Sequence, residues 1–149
     1  MKAIACVDKN MGIGKDNKLL VSFKEDMKFF KETTIGHTVI MGTNTFLSMK
    51  KPLKDRKNIV VSKNLRQEDY TDVIVCNNYK ELLDIDDAYV IGGGQIYKLF
   101  LPYCDEIILT EVNEDYGADT FFPYFDKSLY KVEILKETDD FVIKRYKKG

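Results

Sequence analysis

Six short apolar runs recur along the chain: Ala3 to Val7, Thr38 to Met41, Ile59 to Val61, Val73 to Cys76, Ala88 to Ile91 and Ile107 to Leu109. Continuous short runs of this kind mark strands buried on both faces, as in a parallel sheet covered by helices. Helical patterns lie between several of them. Phe23 to Thr34 carries Met27, Phe30 and Thr34 at three- and four-residue spacing, and Asn44 to Lys50, Tyr79 to Leu83 and Gln95 to Leu101 are shorter candidates. The end of the chain reads differently. Tyr130, Val132 and Ile134 alternate with charged residues, and Asp139-Asp140 marks a turn before Phe141 to Tyr146, which predicts an antiparallel hairpin. The expected fold is a single α/β domain over residues 1–149. Its mostly parallel central sheet has about eight strands, with helices on both faces and the hairpin at one edge.

Charge and cysteine content narrow the function classes. A formal net charge of −1 gives no general pull toward nucleic acid or acidic membranes. No run approaches the 18 or so apolar residues that a membrane span needs, and no secretory leader pattern is present. Cys6, Cys76 and Cys104 are odd in number and lie in or beside apolar segments, so they read as thiols of a reducing compartment. With His37 as the only histidine, no metal site is expected. The expectation is a cytoplasmic monomer acting on small molecules.

Gly92-Gly93-Gly94 closes one apolar run and opens the Gln95 helix. A strand, a turn without side chains and a helix start together can cradle an anion, because backbone N–H groups face a ligand that approaches closely. They can equally form a plain tight turn, and the residues alone leave both readings open. Two connections exceed the needs of a turn: Lys9 to Val21, with Gly12 and Gly14, and Tyr116 to Pro123, with Asp119. The first leads from a strand to a helix, where α/β sheets place ligands, so it is either a lid or a surface loop. Ser22-Phe23-Lys24-Glu25 has the pattern of a capping box, which predicts a helix start near Phe23 and puts Asp26 in the first turn. An acid there complements the helix dipole, but one beside apolar residues also suits a planar amidine-like heterocycle.

In this order, several segments resemble the dihydrofolate reductase family over nearly the whole chain. Ile13-Gly14-Lys15-Asp16-Asn17 resembles its lid, Asp26 with Phe29-Phe30-Lys31 its catalytic helix, and Val39 to Gly42 with Thr45 its second strand and cofactor-facing helix. Pro52-Leu53 with Arg56-Lys57-Asn58 resembles the segment gripping the substrate's tail; Val90 to Gly94 with Ile96-Tyr97 resembles the glycine turn, and Asp119-Thr120 with Phe122-Pro123 the late loop. The resemblance implies hydride transfer from NADPH to 7,8-dihydrofolate, with Asp26 binding the pterin's amino-pyrimidine edge and promoting protonation of the neighbouring nitrogen. Burial among Met27, Phe30 and the first strand is expected to raise the pKa of Asp26 against the opposing helix start.

By the same resemblance, Ile4, Ala5 and Ile91 would meet the pterin, Thr110 would orient the Asp26 side of its pocket, and Phe30, Met49 and Leu53 would sandwich the aminobenzoyl ring, with Met27, Ser48 and Tyr97 as further substrate contacts. Arg56 would fork onto the tail's carboxylate. Cys6 and Ile13 would meet the nicotinamide of the cofactor, with Gly14, Asn17 and Leu19 as further cofactor contacts. Gly42, Thr43, Asn44 and Thr45, with Gly92, Gly93, Gly94, Gln95 and Ile96, would take its pyrophosphate. Ser62 and Lys63 would take the adenosine 2′-phosphate. A cis peptide between Gly92 and Gly93 is also implied.

Two positions depart from the family's pattern. Leu20-Val21 stands where Pro-Trp is usual, and Thr43 where a basic residue often follows the glycine. Losing that charge is expected to cost roughly 1–3 kcal/mol of cofactor binding. The competing readings are a riboflavin-pathway NADPH reductase of the same fold and a pterin- or nucleotide-binding module without turnover.

Overall fold

The computed structural model describes residues 1–149 except Asn17 and Lys50. In chain order the strands are β1 (Lys2–Val7), β2 (Gly12–Gly14), β3 (Thr38–Gly42), β4 (Lys57–Val61), β5 (Ile74–Cys76), β6 (Ala88–Gly92), β7 (Glu106–Val112), β8 (Thr120–Phe121), β9 (Tyr130–Glu137) and β10 (Phe141–Lys148). The helices are α1 (Lys24–Thr34), α2 (Thr43–Ser48) and α3 (Gly94–Phe100). Eight strands form one sheet in the order β5-β4-β3-β6-β1-β7-β10-β9, parallel as far as β7 and closed by the antiparallel β10 and β9. The expected architecture is the observed one.

Period-two alternation divides the core between the two faces of this sheet. Val39 and Met41, with Ile4 and Ile108, pack on one face against Phe23, Phe29, Phe30, Phe46 and Met49 from the α1 and α2 regions. Ile40, Ala3, Val7, Ile107 and Leu109 face the other way, against Ile96, Tyr97 and Phe100 of α3. Both faces are covered, which is why the strands read as unbroken apolar runs.

Several element ends differ from the sequence reading. The expected Tyr79–Leu83 helix is a single 3-10 turn, Tyr79–Leu82, in which Asn78 accepts a hydrogen bond from the Lys80 N–H. A segment that short gains little from helical propagation, and the Asn cap favours the tight turn. The Asn44 helix starts at Thr43 and closes at Ser48; its expected end, Lys50, lies outside the described residues. The capping box is absent: Phe23 occupies the N-cap without a side-chain bond, and the Ser22 hydroxyl donates instead to Met27 Sδ at 2.8 Å. The two long connections meet each other. β2 pairs with β8, so the first long connection is stitched to the second.

Candidate active site

The sheet opens where its connections change direction. β1 pairs with β7 along its whole length, but with β6 only at Lys2–Tyr89 and Ala3–Val90. From β1 the chain first builds β3, β4 and β5 on one side, returns as β6, and then crosses to β7 on the other. The gap between the C-terminal halves of β1 and β6 is therefore a topological switch point, the usual place for a ligand in an open α/β sheet. On the other side of β6 the register shifts: Ile40 pairs with Val90 but Met41 with Gly92, which leaves Ile91 as the extra residue at the rim.

On the α1 face of this cleft, Cys6 and Thr110 are register partners on β1 and β7. The first turn of α1 lays Asp26 against them. The Thr110 hydroxyl donates to Asp26 Oδ1 at 2.5 Å, and the Cys6 thiol lies beside the same carboxyl. Burial raises the Asp26 pKa above its ordinary value, opposed by the hydrogen bonds from Thr110 and Cys6. The Cys6 thiol is itself pushed up to about 12, by burial and then by the Asp26 charge, so it stays protonated as a donor.

Ile4, Phe30, Met49, Leu53 and Ile91 share one apolar cluster on this face, and Ala5 is half-buried in the strand between the two cores. Val21 joins that cluster in place of the expected tryptophan. Met27 does not wall the carboxyl as anticipated. The face of α1 turned to the sheet is centred on Phe23, Asp26 and Phe30; Met27 falls at its edge and is 60% exposed, tied to Ser22. Tyr97 is also misplaced by the sequence reading. It is buried in the core of the opposite face, and its hydroxyl donates to the Ile4 carbonyl at 2.7 Å, so its reach into the cleft runs through β1. Ser48 is exposed and spends its hydroxyl on the Thr45 carbonyl of its own helix.

Beside the acid lies the glycine turn. Gly92 has φ +116, which L side chains rarely adopt, and the Gly92–Gly93 peptide is cis. Cβ atoms on Gly42 and Gly94 would press on Ile96 Cγ1 and Thr120 Cγ2 at 2.7 and 2.9 Å. A Cβ on Gly93 would meet only Thr45 Oγ1, at 3.7 Å, an ordinary contact, so the turn faces the start of α2 with room for a side-chain atom between them. Gly42 caps α2 with no side-chain bond, and among the described residues no side chain accepts from the N–H groups of Thr43, Asn44 and Thr45. Gln95 is exposed on α3. Ser62 is buried, its hydroxyl oxygen accepting from the Asn64 and Leu65 N–H groups, so it shapes the turn that carries exposed Lys63.

In the lid, Ile13 is buried, Gly14 is half-buried and Leu19 is 79% exposed; Asn17 lies outside the described residues. Asp119 Oδ2 accepts from the Asp16 N–H at 3.0 Å, and the Asp119 N–H donates to the Gly14 carbonyl. The bond from the Asp16 N–H, and then one from the Thr120 hydroxyl, hold the Asp119 carboxyl below its ordinary pKa. Asp8 was missed by the sequence reading. Its buried carboxylate accepts from the N–H groups of Asn10, Gly12 and Tyr116 and so moors both loops to the end of β1. An Asp directly after a strand and four residues before a glycine was the available signal.

In the loop that enters β4, Arg56 is braced by two oxygens. Its Nε donates to the Lys54 carbonyl at 2.9 Å, and an Nη donates to the Thr34 hydroxyl at 3.1 Å. Thr34, fully buried, donates in turn to the Phe30 carbonyl. Partial burial lowers the Arg56 pKa, with Asp55 opposing. Thr34 was read only as part of the helix's apolar stripe.

Comparison with known proteins assigns this arrangement to a family. The family model described as dihydrofolate reductase matches residues 1–146. The chain is 38% identical to the dihydrofolate reductase of Bacillus subtilis over 133 residues, covering 87% of this chain and 79% of that one. It is 32% identical to the dihydrofolate reductase of Ureaplasma parvum over 150 residues, covering 98% and 96%. Among solved structures it matches the Enterococcus faecalis dihydrofolate reductase complexed with NADP(H) and RAB-propyl, with a TM-score of 0.83, 31% identity, and coverage of 99% and 95%. The protein therefore belongs to the dihydrofolate reductase family.

Proposed function

We propose that the cleft between β1 and β6 carries out the NADPH-dependent reduction of 7,8-dihydrofolate to 5,6,7,8-tetrahydrofolate, with Asp26 as the catalytic acid. The protein is an enzyme of the dihydrofolate reductase type, and its cofactor is NADPH. This family membership decides against the riboflavin-pathway reductase and the non-catalytic module. The observation that carries the residue assignment is the Asp26 carboxyl, half-buried at the opened seam of the sheet and hydrogen-bonded by Thr110.

The residues present fit NADPH. The side-chain-free turn at Gly93, facing Thr45, and the start of α2 beside it, capped by no side chain, form a backbone cradle for a pyrophosphate. Gly42, Thr43, Asn44, Thr45 and the turn from Gly92 to Ile96 would hold that group. The Ser62–Lys63 turn would hold the 2′-phosphate, and Cys6, Ile13, Gly14, Asn17 and Leu19 would flank the nicotinamide. When bound, the cofactor supplies the hydride.

The chain's own groups do the remaining work. Asp26, when ionised, takes the amino-pyrimidine edge of the pterin through paired N–H···O bonds, and its raised pKa favours the protonated form that promotes, through water, protonation of the ring nitrogen. Thr110 fixes the orientation of that carboxyl. Ile4, Ala5 and Ile91 wall the pterin, and Phe30, Met49 and Leu53 enclose the aminobenzoyl ring, excluding water from the transfer. Arg56 forks onto the tail carboxylate. We read the protein as a cytoplasmic monomer acting on small molecules, a reading supported by three free cysteines, two of them buried.

The test is NADPH oxidation with dihydrofolate, followed as single-turnover hydride transfer against pH. The wild-type rate falls as pH rises through the Asp26 pKa, and Asp26→Asn abolishes that titration. An undiminished, identically titrating rate in Asp26→Asn refutes the role.

A further inference from the structure

Arg56 and Leu53 sit at opposite ends of one short loop, and a single buried side chain holds both ends. Asn58 lies on β4, paired with Val39 of β3, and is 5% exposed. Its Oδ1 accepts from the Leu53 N–H at 3.0 Å. Its Nδ2 donates to the Leu53 carbonyl and to the Arg56 carbonyl, each at 2.9 Å. One acceptor and two donors of a carboxamide are thereby engaged, all on backbone groups of the same loop. Between these ends Asp55 sits at φ +60, and its carbonyl accepts from the Gly36 N–H at 2.8 Å.

We propose that Asn58 is a positioning residue that sets preference for substrates bearing the anionic tail, by clamping Leu53 and Arg56 to the central sheet at fixed separation. The proposal rests on the reading of Arg56 as the tail's partner. A bidentate guanidinium–carboxylate contact needs its plane aimed, and an arginine on an untethered loop loses that aim. The bracket extends from a strand buried in the sheet, so the rigidity of β3 and β4 passes to the loop without Asn58 touching substrate. A merely structural asparagine would affect every substrate alike. This one holds the two loop residues assigned to the ring and the tail, and it is remote from the pterin pocket around Asp26 and Thr110.

Asn58→Leu removes all three bonds while nearly preserving shape. The expected result is a KM for dihydrofolate raised about tenfold. The kcat stays within about twofold, as does the KM for a dihydropterin lacking the aminobenzoyl-glutamate tail. Equal losses on both substrates, or no loss on either, overturn the proposal. Arg56→Lys is measured in parallel: discrimination between the two substrates keeps the tail contact standing whatever Asn58→Leu shows, and its absence overturns that contact and the proposal with it. A further measurement needs no variant. In the unmodified protein with NADP, folate slows hydrogen exchange of the Leu53 amide, whereas a tail-less pterin leaves it unchanged. Equal protection by the two ligands overturns the coupling.

Discussion

The two ends of the cleft hold their charged side chains by opposite means. Asp26 is on a helix, and its oxygen is met by a side-chain hydroxyl from the middle of the sheet. Arg56 is on a loop, and its nitrogens are met by a backbone carbonyl and by a threonine whose hydroxyl is tied to α1. Burial acts against the charged form at both ends, raising the Asp26 pKa and lowering that of Arg56. Its chemical consequence differs. A carboxyl can be brought toward a working pH, while a guanidinium stays charged throughout the accessible range. One end is therefore built to change protonation and the other to keep a fixed charge in a fixed direction.

The largest effect that sharpens this contrast is expected at the acid. Asp26→Asn lowers single-turnover hydride transfer by on the order of 100-fold, the scale of one general acid, and leaves a pH-flat residual rate. Next comes Arg56→Lys. It raises KM for dihydrofolate about tenfold with kcat nearly unchanged, because it removes binding shared by ground and transition states. An Arg56 variant whose chief effect was on the pH profile would erase the distinction between the two ends. A smaller effect is expected from Thr110→Val. Its hydroxyl lowers the Asp26 pKa, so its loss raises that pKa further and moves the midpoint of the pH–rate curve upward. A midpoint that stayed or fell would show that Thr110 does not couple to the proton.

The acidic end was more legible in the sequence than the basic end, for a physical reason. Asp26 lies in a periodic segment, and helical periodicity alone places it near Phe23 and Phe30 on the sheet-facing side. The same periodicity misjudges Met27, because a residue one step round from that side sits at its edge, exposed and bonded to Ser22. At the other end, Arg56 could be named only through resemblance to a known motif. Its braces, Thr34 and Asn58, depend on the approach of α1, β4 and the intervening loop, contacts that no local pattern specifies. The same holds for Asp8 and for Tyr97, whose effects pass through other residues' backbones. The sheet itself was readable because burial on both faces leaves unbroken apolar runs.

The smallest effect concerns stability, and it tests the acid independently of catalysis. The folded-state pKa of Asp26 is raised above its unfolded value, so the folded protein holds that proton more tightly than the unfolded chain does. The resulting stabilisation is fully present below the unfolded pKa, near 3.9, and is lost as pH rises through the raised folded value. At neutral pH the ionised carboxylate is then a residual cost, reduced by solvent because the group is only half-buried. Asp26→Asn removes that charge. Its Tm is expected to exceed the wild-type value by about 2 °C at neutral pH, with the difference shrinking as pH approaches 4. Arg56→Lys keeps its charge and should show no comparable pH-dependent difference. Thermal unfolding of both variants across that pH range checks the pair: a gap for Asp26→Asn that widened on acidification would mean the native site favours the carboxylate, reversing the physical basis assigned to the catalytic end.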